Sequence, residues 1–427
     1  MVGGTPCTST FTFTSTSTST ATNTPTNSSS STATSTPTKT GTPTATSTPT
    51  NSGTPTSTPT ATTTTVNTNT PTITSTSTTT NTPTVTNSPT TPLTPTITST
   101  PTNTPTPNTT FTWIRTTSGA AFGVRYGCGA VTFDAGSGNQ MWLIGGSGAA
   151  GQYADVYSSS DGAAWSTVTT SAAFGQISGE TCLNYNGQMW VIGGSVSLSA
   201  SVTIPLPTPT VMNVSGDYPT NAVYSSTNGS SWSAATTQAA FPERYEHCSV
   251  VFNNQMWVIG GMHVPYTSYL NDVYSSTDGV NWSAATTQAA FSARHASAAV
   301  SFAGKMWIFG GYDGANRLSD VYNSSDGATW NLVTANAAFG PRAGHMAYVW
   351  NSNIWLVGGS PALSSSDGNV WYSPDGSTWT LATSNGGFNG RVFSGFAIFD
   401  AGSGPKMWLM GGTDDVSSYY NDVWHSP

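Results

Sequence analysis

The sequence predicts an all-β fold: a six-bladed β-propeller over residues 111–427, preceded by a low-complexity segment over 1–110. Three observations carry this expectation. A Trp followed nine residues later by a Phe occurs six times, at Trp113/Phe122, Trp165/Phe174, Trp232/Phe241, Trp282/Phe291, Trp330/Phe339 and Trp379/Phe388. Six apolar segments with a central Trp end in a glycine pair, closing at Gly146, Gly194, Gly261, Gly311, Gly359 and Gly412. All 15 tryptophans lie beyond residue 110. A repeat of about 50 residues that cannot bury its own apolar face must stack on its neighbours, as propellers and solenoids do.

Residues 1–110 are almost entirely Thr, Ser, Pro and Asn, with Lys39 as the one charged side chain. They hold too little apolar surface to offset the entropy of ordering. Recurrent Pro fixes φ and β-branched Thr stiffens its neighbours, so the segment is expected to be an extended stalk. This composition suits O-glycosylation. Self-assembly through the stalk is the other expectation, opposed by the frequent Pro. The opening MVGGTPCTST shows no charged-then-apolar leader, so no export signal is visible in this sequence.

Charge is sparse. Only 7% of residues are Asp, Glu, Lys or Arg, against roughly 25% in ordinary soluble domains. All 18 acidic residues and all but one of the 10 basic ones fall beyond residue 110. That acidic balance argues against nucleic acid as a partner. No run of 18 apolar residues is present, so no membrane-spanning helix is expected. Cys7 falls in the stalk. Cys128, Cys182 and Cys248 fall near the starts of successive first strands and read as small buried side chains, not a disulfide framework.

Each element of the repeat is legible in the third unit. Val250-Val251-Phe252 and Met256-Trp257-Val258-Ile259 read as strands joined by a turn at Asn253-Asn254. Asp272-Val273-Tyr274 marks a third strand and Trp282 opens a fourth, with Asp278-Gly279 supplying the tight turn between them. Four antiparallel strands per unit make one propeller blade. The chain starts this pattern with a lone fourth strand at Trp113 and ends on a third strand at Val423-Trp424. Docking residues 111–118 beside that last strand completes a sixth blade and closes the ring.

The pattern resembles the kelch repeat. The matching residues are the glycine pair after four apolar positions, then Tyr or Trp, then Trp eight residues on. That spacing recurs at Tyr157/Trp165, Tyr224/Trp232, Tyr274/Trp282, Tyr322/Trp330 and Trp371/Trp379. The Arg that opens the kelch repeat stands at Arg125, Arg244, Arg294, Arg342 and Arg391, while Ile177 takes its place in the second unit. Ser160-Asp161-Gly162 with Trp165 also resembles the Asp-box of sialidases, with one residue fewer between Asp and Gly.

The resemblance implies that the loop after each glycine pair and the segment bearing the Arg emerge on one face. The first loop is far longer in the second unit than elsewhere, and loops on rigid scaffolds carry binding groups. That face offers Tyr153, Tyr218, His263, Tyr266, Tyr269, Tyr312, Tyr419 and Tyr420, with Asp313, Arg317, Asp414 and Asp415 among them. Exposed aromatics beside short polar groups suit a sugar ring or a protein partner. The five Arg have two readings: a mouth for a carboxylate or sulfate, or pairing with Asp155, Asp272, Asp320 or Asp422 of the third strands. Three residues after each Arg position come Cys128, Glu180, His247, Ser297, His345 and Ser394. Strand alternation would set that row on the opposite side from the Arg. A metal at Glu180, His247 and His345 would need three units to converge and has no short ligand motif, so no metal or cofactor is expected.

The candidate ligand-binding residues are therefore Arg125, Arg244, Arg294, Arg342, Arg391, His247, His345, His263, Tyr266 and Tyr312. The functional expectation is an extracellular or surface-displayed module binding a glycan or protein through this loop face. The alternatives are a sugar enzyme similar to sialic-acid mutarotases or sialidases, and a structural component of an extracellular fibre. Galactose oxidase also has kelch-like repeats, but no copper-site motif is visible here.

Overall fold

The computed structural model describes residues 111–204, 210–263 and 268–427. The stalk expectations for 1–110 lie outside the described residues. Six four-stranded antiparallel sheets follow one another along the described chain. In the third, Cys248–Phe252, Gln255–His263, Ser268–Ser276 and Ser283–Thr286 lie side by side in sequence order. The sixth combines Gly395–Asp400, Pro405–Met410 and Val423–His425 with Ile114–Thr117 from the start of the described chain. Ile114 pairs with His425 and Thr117 with Val423. The result is a propeller-like all-β fold.

Burial follows position in the sheet. The second strands are buried from both sides: Met141, Trp142, Leu143 and Ile144 are all at most 3% exposed. A strand covered on both faces reads as an unbroken apolar run, which is why MWLI and its relatives stand out in the sequence. First strands alternate, as at Gly129–Asp134, and fourth strands such as Ser166–Thr169 expose most of their length. The apolar cores lie between sheets. One joins the sixth sheet to the first, with Phe399, Trp408 and Met410 against Met141, Leu143 and Trp165. Another joins the fifth to the sixth, where Trp113 packs with Tyr348, Val357, Phe388 and Leu409.

The Trp and Phe of each nine-residue spacing fall in different apolar cores. Each Phe instead packs edge-on against the Trp of the following sheet: Phe122 on Trp165, Phe174 on Trp232, Phe241 on Trp282, Phe291 on Trp330 and Phe339 on Trp379. Phe388 packs on Trp113, with centroids 5.4 Å apart and planes at 84°. The last Phe thus meets the first Trp. The geometry suits the aromatic quadrupole, positive edge to negative face.

The Asp-Gly turns link third to fourth strands at the opposite end from the glycine pairs and touch the preceding sheet. Ser276 Oγ accepts from the Asp278 and Gly279 amides, Asp278 caps the next two amides, and Trp282 Nε1 donates to Gly279 O. Gly279 has φ +74° and rests against the Trp190 ring of the preceding sheet, where a Cβ would collide. The same contact joins Gly162 to Trp408, Gly229 to Trp142, Gly327 to Trp257 and Gly376 to Trp307. At the sixth interface, Phe111 stacks on Trp355 at 4.9 Å and 19°.

The second-unit insertion forms a hairpin. Ser195–Ile204 pairs with Thr210–Pro219 over ten residue pairs, and Ile177–Ser178 adds to its base.

Candidate functional site

The five arginines take the structural one of their two roles. Arg125, Arg244, Arg294 and Arg391 are at most 1% exposed and Arg342 is 2% exposed. Arg244 holds Asp272 through both carboxylate oxygens at 2.7 and 2.9 Å, and donates to Gly260 O at 2.8 Å. Arg125 grips Asp155, Arg294 grips Asp320 and Arg391 grips Asp422 in the same two-pronged way. Paired geometry of this kind compensates the guanidinium for lost water. Where the sequence offered an Arg mouth, these cations are buried and face their own third strands and glycine pairs.

Arg342 departs from this pattern. Its partner is Asp367, two residues before the usual register, reached at a single 3.4 Å contact. Burial keeps the Asp367 carboxyl above its ordinary pKa and the Arg342 guanidinium below its own. The second unit replaces both partners. Ile177 stands for Arg, and Ala222 occupies the place of the Asp, since it precedes Val223 as Asp272 precedes Val273. This paired change is written in the sequence and is the signal that identifies the Arg set as structural.

Strand alternation does not govern the Arg position and the row three residues on. The arginines sit ahead of the first strands, and the residue two positions later turns through positive φ in every unit: Gly127, Gly179, Glu246, Ala296, Gly344 and Phe393. These six form a closed ring of amide-to-carbonyl hydrogen bonds. Gly179 donates to Gly127, Glu246 to Gly179, Ala296 to Glu246, Gly344 to Ala296, Phe393 to Gly344 and Gly127 to Phe393, at 2.7 to 2.9 Å. Non-glycine residues rarely adopt this conformation, so Glu246, Ala296 and Phe393 gave no sign of the turn in the sequence.

Inside the ring is a cavity of about 110 Å³ lined by Cys128, Glu180, His247, Ser297, His345 and Ser394. The row thus does converge. Burial raises the Glu180 pKa to about 8 and lowers those of His247 and His345 to about 3. Glu180 Oε1 accepts from the Gly129 amide and His247 Nε2 meets Thr181 Oγ1. Among the described residues, no group of three His, Cys, Asp or Glu is arranged to hold a metal ion. The thiols of Cys128, Cys182 and Cys248 are free.

A larger pocket opens on the loop face beside the ring. About 340 Å³ in volume, it is lined by Glu246, Met262, Tyr269, His295, Tyr312, Arg317, Ser360, Leu363, Phe393 and Asp415, among others. They come from the loops after four glycine pairs and from the crossovers between sheets. His295 Nδ1 meets Glu246 Oε2 at 2.7 Å. Arg317 donates to Ser360 Oγ at 2.8 Å and lies 3.7 Å from Asp415. Tyr269 stacks on His295 at 5.2 Å, and Tyr312 meets both rings edge-on. Leu363 stands at the rim, 79% exposed.

Of the other candidates, Tyr312 lines this pocket, while His263 lies outside it with Nδ1 at 2.7 Å from Glu243 O. Tyr266 falls outside the described residues. Leu363 escaped sequence reading because a lone Leu in a Ser-rich loop carries no pattern.

Residues 212–412 match the family model of the KLHDC2/KLHL20/DRC7 Kelch-repeats domain. The match runs from the long hairpin to the last glycine pair, so residues 212–412 carry kelch repeats. No curated protein matches the chain.

Proposed function

We propose that this kelch-repeat domain is a closed six-bladed propeller that recognises a protein partner through its loop face, with the pocket around Tyr269, Tyr312 and Leu363 as its anchor. Kelch repeats are generally protein-interaction modules. The observation that carries the reading is Leu363, 79% exposed at the rim of an aromatic-walled pocket. The pocket's polar groups already meet partners, His295 at Glu246 and Arg317 at Ser360 and Asp415. An apolar rim with satisfied polar groups favours an apolar side chain from a partner.

A glycan finds less here. Acidic sugars need cations at the mouth, and the arginines expected there are buried against Asp. A neutral sugar needs an open aromatic face, and Tyr269 has one face against His295. Closure of the six sheets is supported by the ring of backbone bonds and by Phe388 meeting Trp113. Extracellular display, with O-glycans on the stalk, rests on the composition of residues 1–110 alone.

The reading is tested by comparing Leu363→Asp with Val280→Asp in the full chain. Val280 is also exposed, but in an Asp-Gly turn at the opposite end of the sheets. Co-precipitated partners should be lost in the first variant and kept in the second. Equal retention in both would reject the pocket as the anchor.

A further inference from the structure

We propose that a second pocket on the loop face, bounded by Tyr126, Gln152, Ser178, Asp217, Tyr245 and Glu246, binds the guanidinium or ammonium group of a basic side chain on a protein partner. This pocket lies on the other side of Glu246 from the Leu363 pocket and has a volume of about 390 Å³. The inference extends the protein-recognition reading by naming the chemistry of a separate subsite.

The lining is one-sided in its chemistry. Two carboxylates, Asp217 and Glu246, face a set of hydroxyls and an amide, and among the described residues no Lys, Arg or His lines the pocket. Asp217 accepts from Ser197 Oγ at 2.6 Å, and Glu246 is steadied through Oε2 by His295. Gln152 supplies an independent observation. It is 5% exposed, and its Nε2 donates to Ser178 Oγ at 3.0 Å. Its Oε1 is buried with no hydrogen-bond partner among the described residues. A buried carbonyl oxygen left unpaired costs free energy that a ligand's N–H would recover.

Acceptors without bases call for a ligand rich in donors and positive in charge. A guanidinium brings five N–H donors in a flat fork, and an ammonium brings three. The Tyr126 ring also borders the pocket. Tyr126 is held in place by stacking on Tyr419 at 5.2 Å and 11°. The acidic balance of the chain, with pI about 4.8, would steer such a group toward the site.

The test titrates the full chain with N-acetyl-arginine methylamide, followed by ligand-observed NMR. Spermidine and methyl glucoside run in parallel. The expected result is saturable binding of the arginine amide that weakens with salt and falls about tenfold in both Asp217→Asn and Gln152→Leu. Leu363→Asp should leave it unchanged, which separates this site from the Leu363 pocket. Asp217 is exposed, so its variant should keep the parental melt even if Gln152→Leu does not. No saturable binding, equal binding in Asp217→Asn, or binding of the glucoside alone would overturn the proposal. Spermidine binding more tightly than the arginine amide would reassign the site to a free polyamine and overturn the side-chain assignment.

Discussion

The second and sixth sheets depart from the common repeat at opposite ends of the fold. The second changes the loop end, where Ile177 and Ala222 replace a buried Arg and its Asp. The sixth changes the turn end, where the outer strand Ile114–Thr117 comes from far away in sequence. There Trp113 Nε1 is buried with no partner among the described residues, and Phe111 covers Trp355 where a turn glycine covers the matching Trp of the other sheets. The second sheet shows that the ion pair can be exchanged for apolar contact when both partners change together. The sixth shows that packing and strand pairing can stand in for a covalent hairpin.

The largest effect should come from breaking the sixth sheet. Deleting residues 111–118 removes Trp113, which is 2% exposed, together with the strand pairing. It should cost about 5 kcal/mol, given what buried Trp truncations cost. Urea unfolding measures this, and an unchanged midpoint would show that the segment does not hold the ring.

Next comes the loop-end exchange, made in the third sheet. Arg244→Ile alone strands Asp272, which is 6% exposed, and should cost about 3–5 kcal/mol. Adding Asp272→Ala recreates the second-sheet pair and should return stability to within about 1 kcal/mol of the parent. If the double variant were as unstable as the single, Ile177 and Ala222 would not be an equivalent solution.

The second sheet also differs within the central cavity, where Glu180 stands in the row that holds His247 and His345. Burial raises the Glu180 pKa from 4.5 to about 8. The unfolded chain therefore loses this proton first, and Glu180 should cost stability as pH rises from 4.5 to about 8. The histidines act in the other direction. Their pKa values fall from 6.5 to about 3, so they cost stability as pH drops through that window. Glu180→Gln should remove the loss of stability between pH 4.5 and about 8, and His345→Gln should ease the loss between pH 6.5 and about 3. The urea midpoint against pH reads both. A smaller effect is expected from Phe111→Ala, about 1 kcal/mol for one stacked pair, seen as a modest drop in Tm.

The fold was legible where chemistry repeats. Glycine pairs, Asp-Gly turns and the Tyr-to-Trp spacing mark strands because they answer to local backbone and burial demands. What the sequence hid was partnership. The nine-residue spacing counts the repeat without saying what touches what, and Phe174 crosses to Trp232, a long-range contact with no local signature. Asp367 is displaced in register from its counterparts, so the fifth clamp went unseen. The loop face was recognised as a face, and Tyr269, Tyr312 and Arg317 do meet there. Its anchor depends on exposure at Leu363 and on pairing among neighbours, and those properties exist only once six sheets have assembled.

The most direct test of the recognition account is site-specific photo-crosslinking in the full chain, with a photoreactive residue at position 363 or at position 280. The account predicts partner adducts from 363 and none from 280. Adducts from 280 with none from 363 would contradict it and move recognition to the turn end of the sheets.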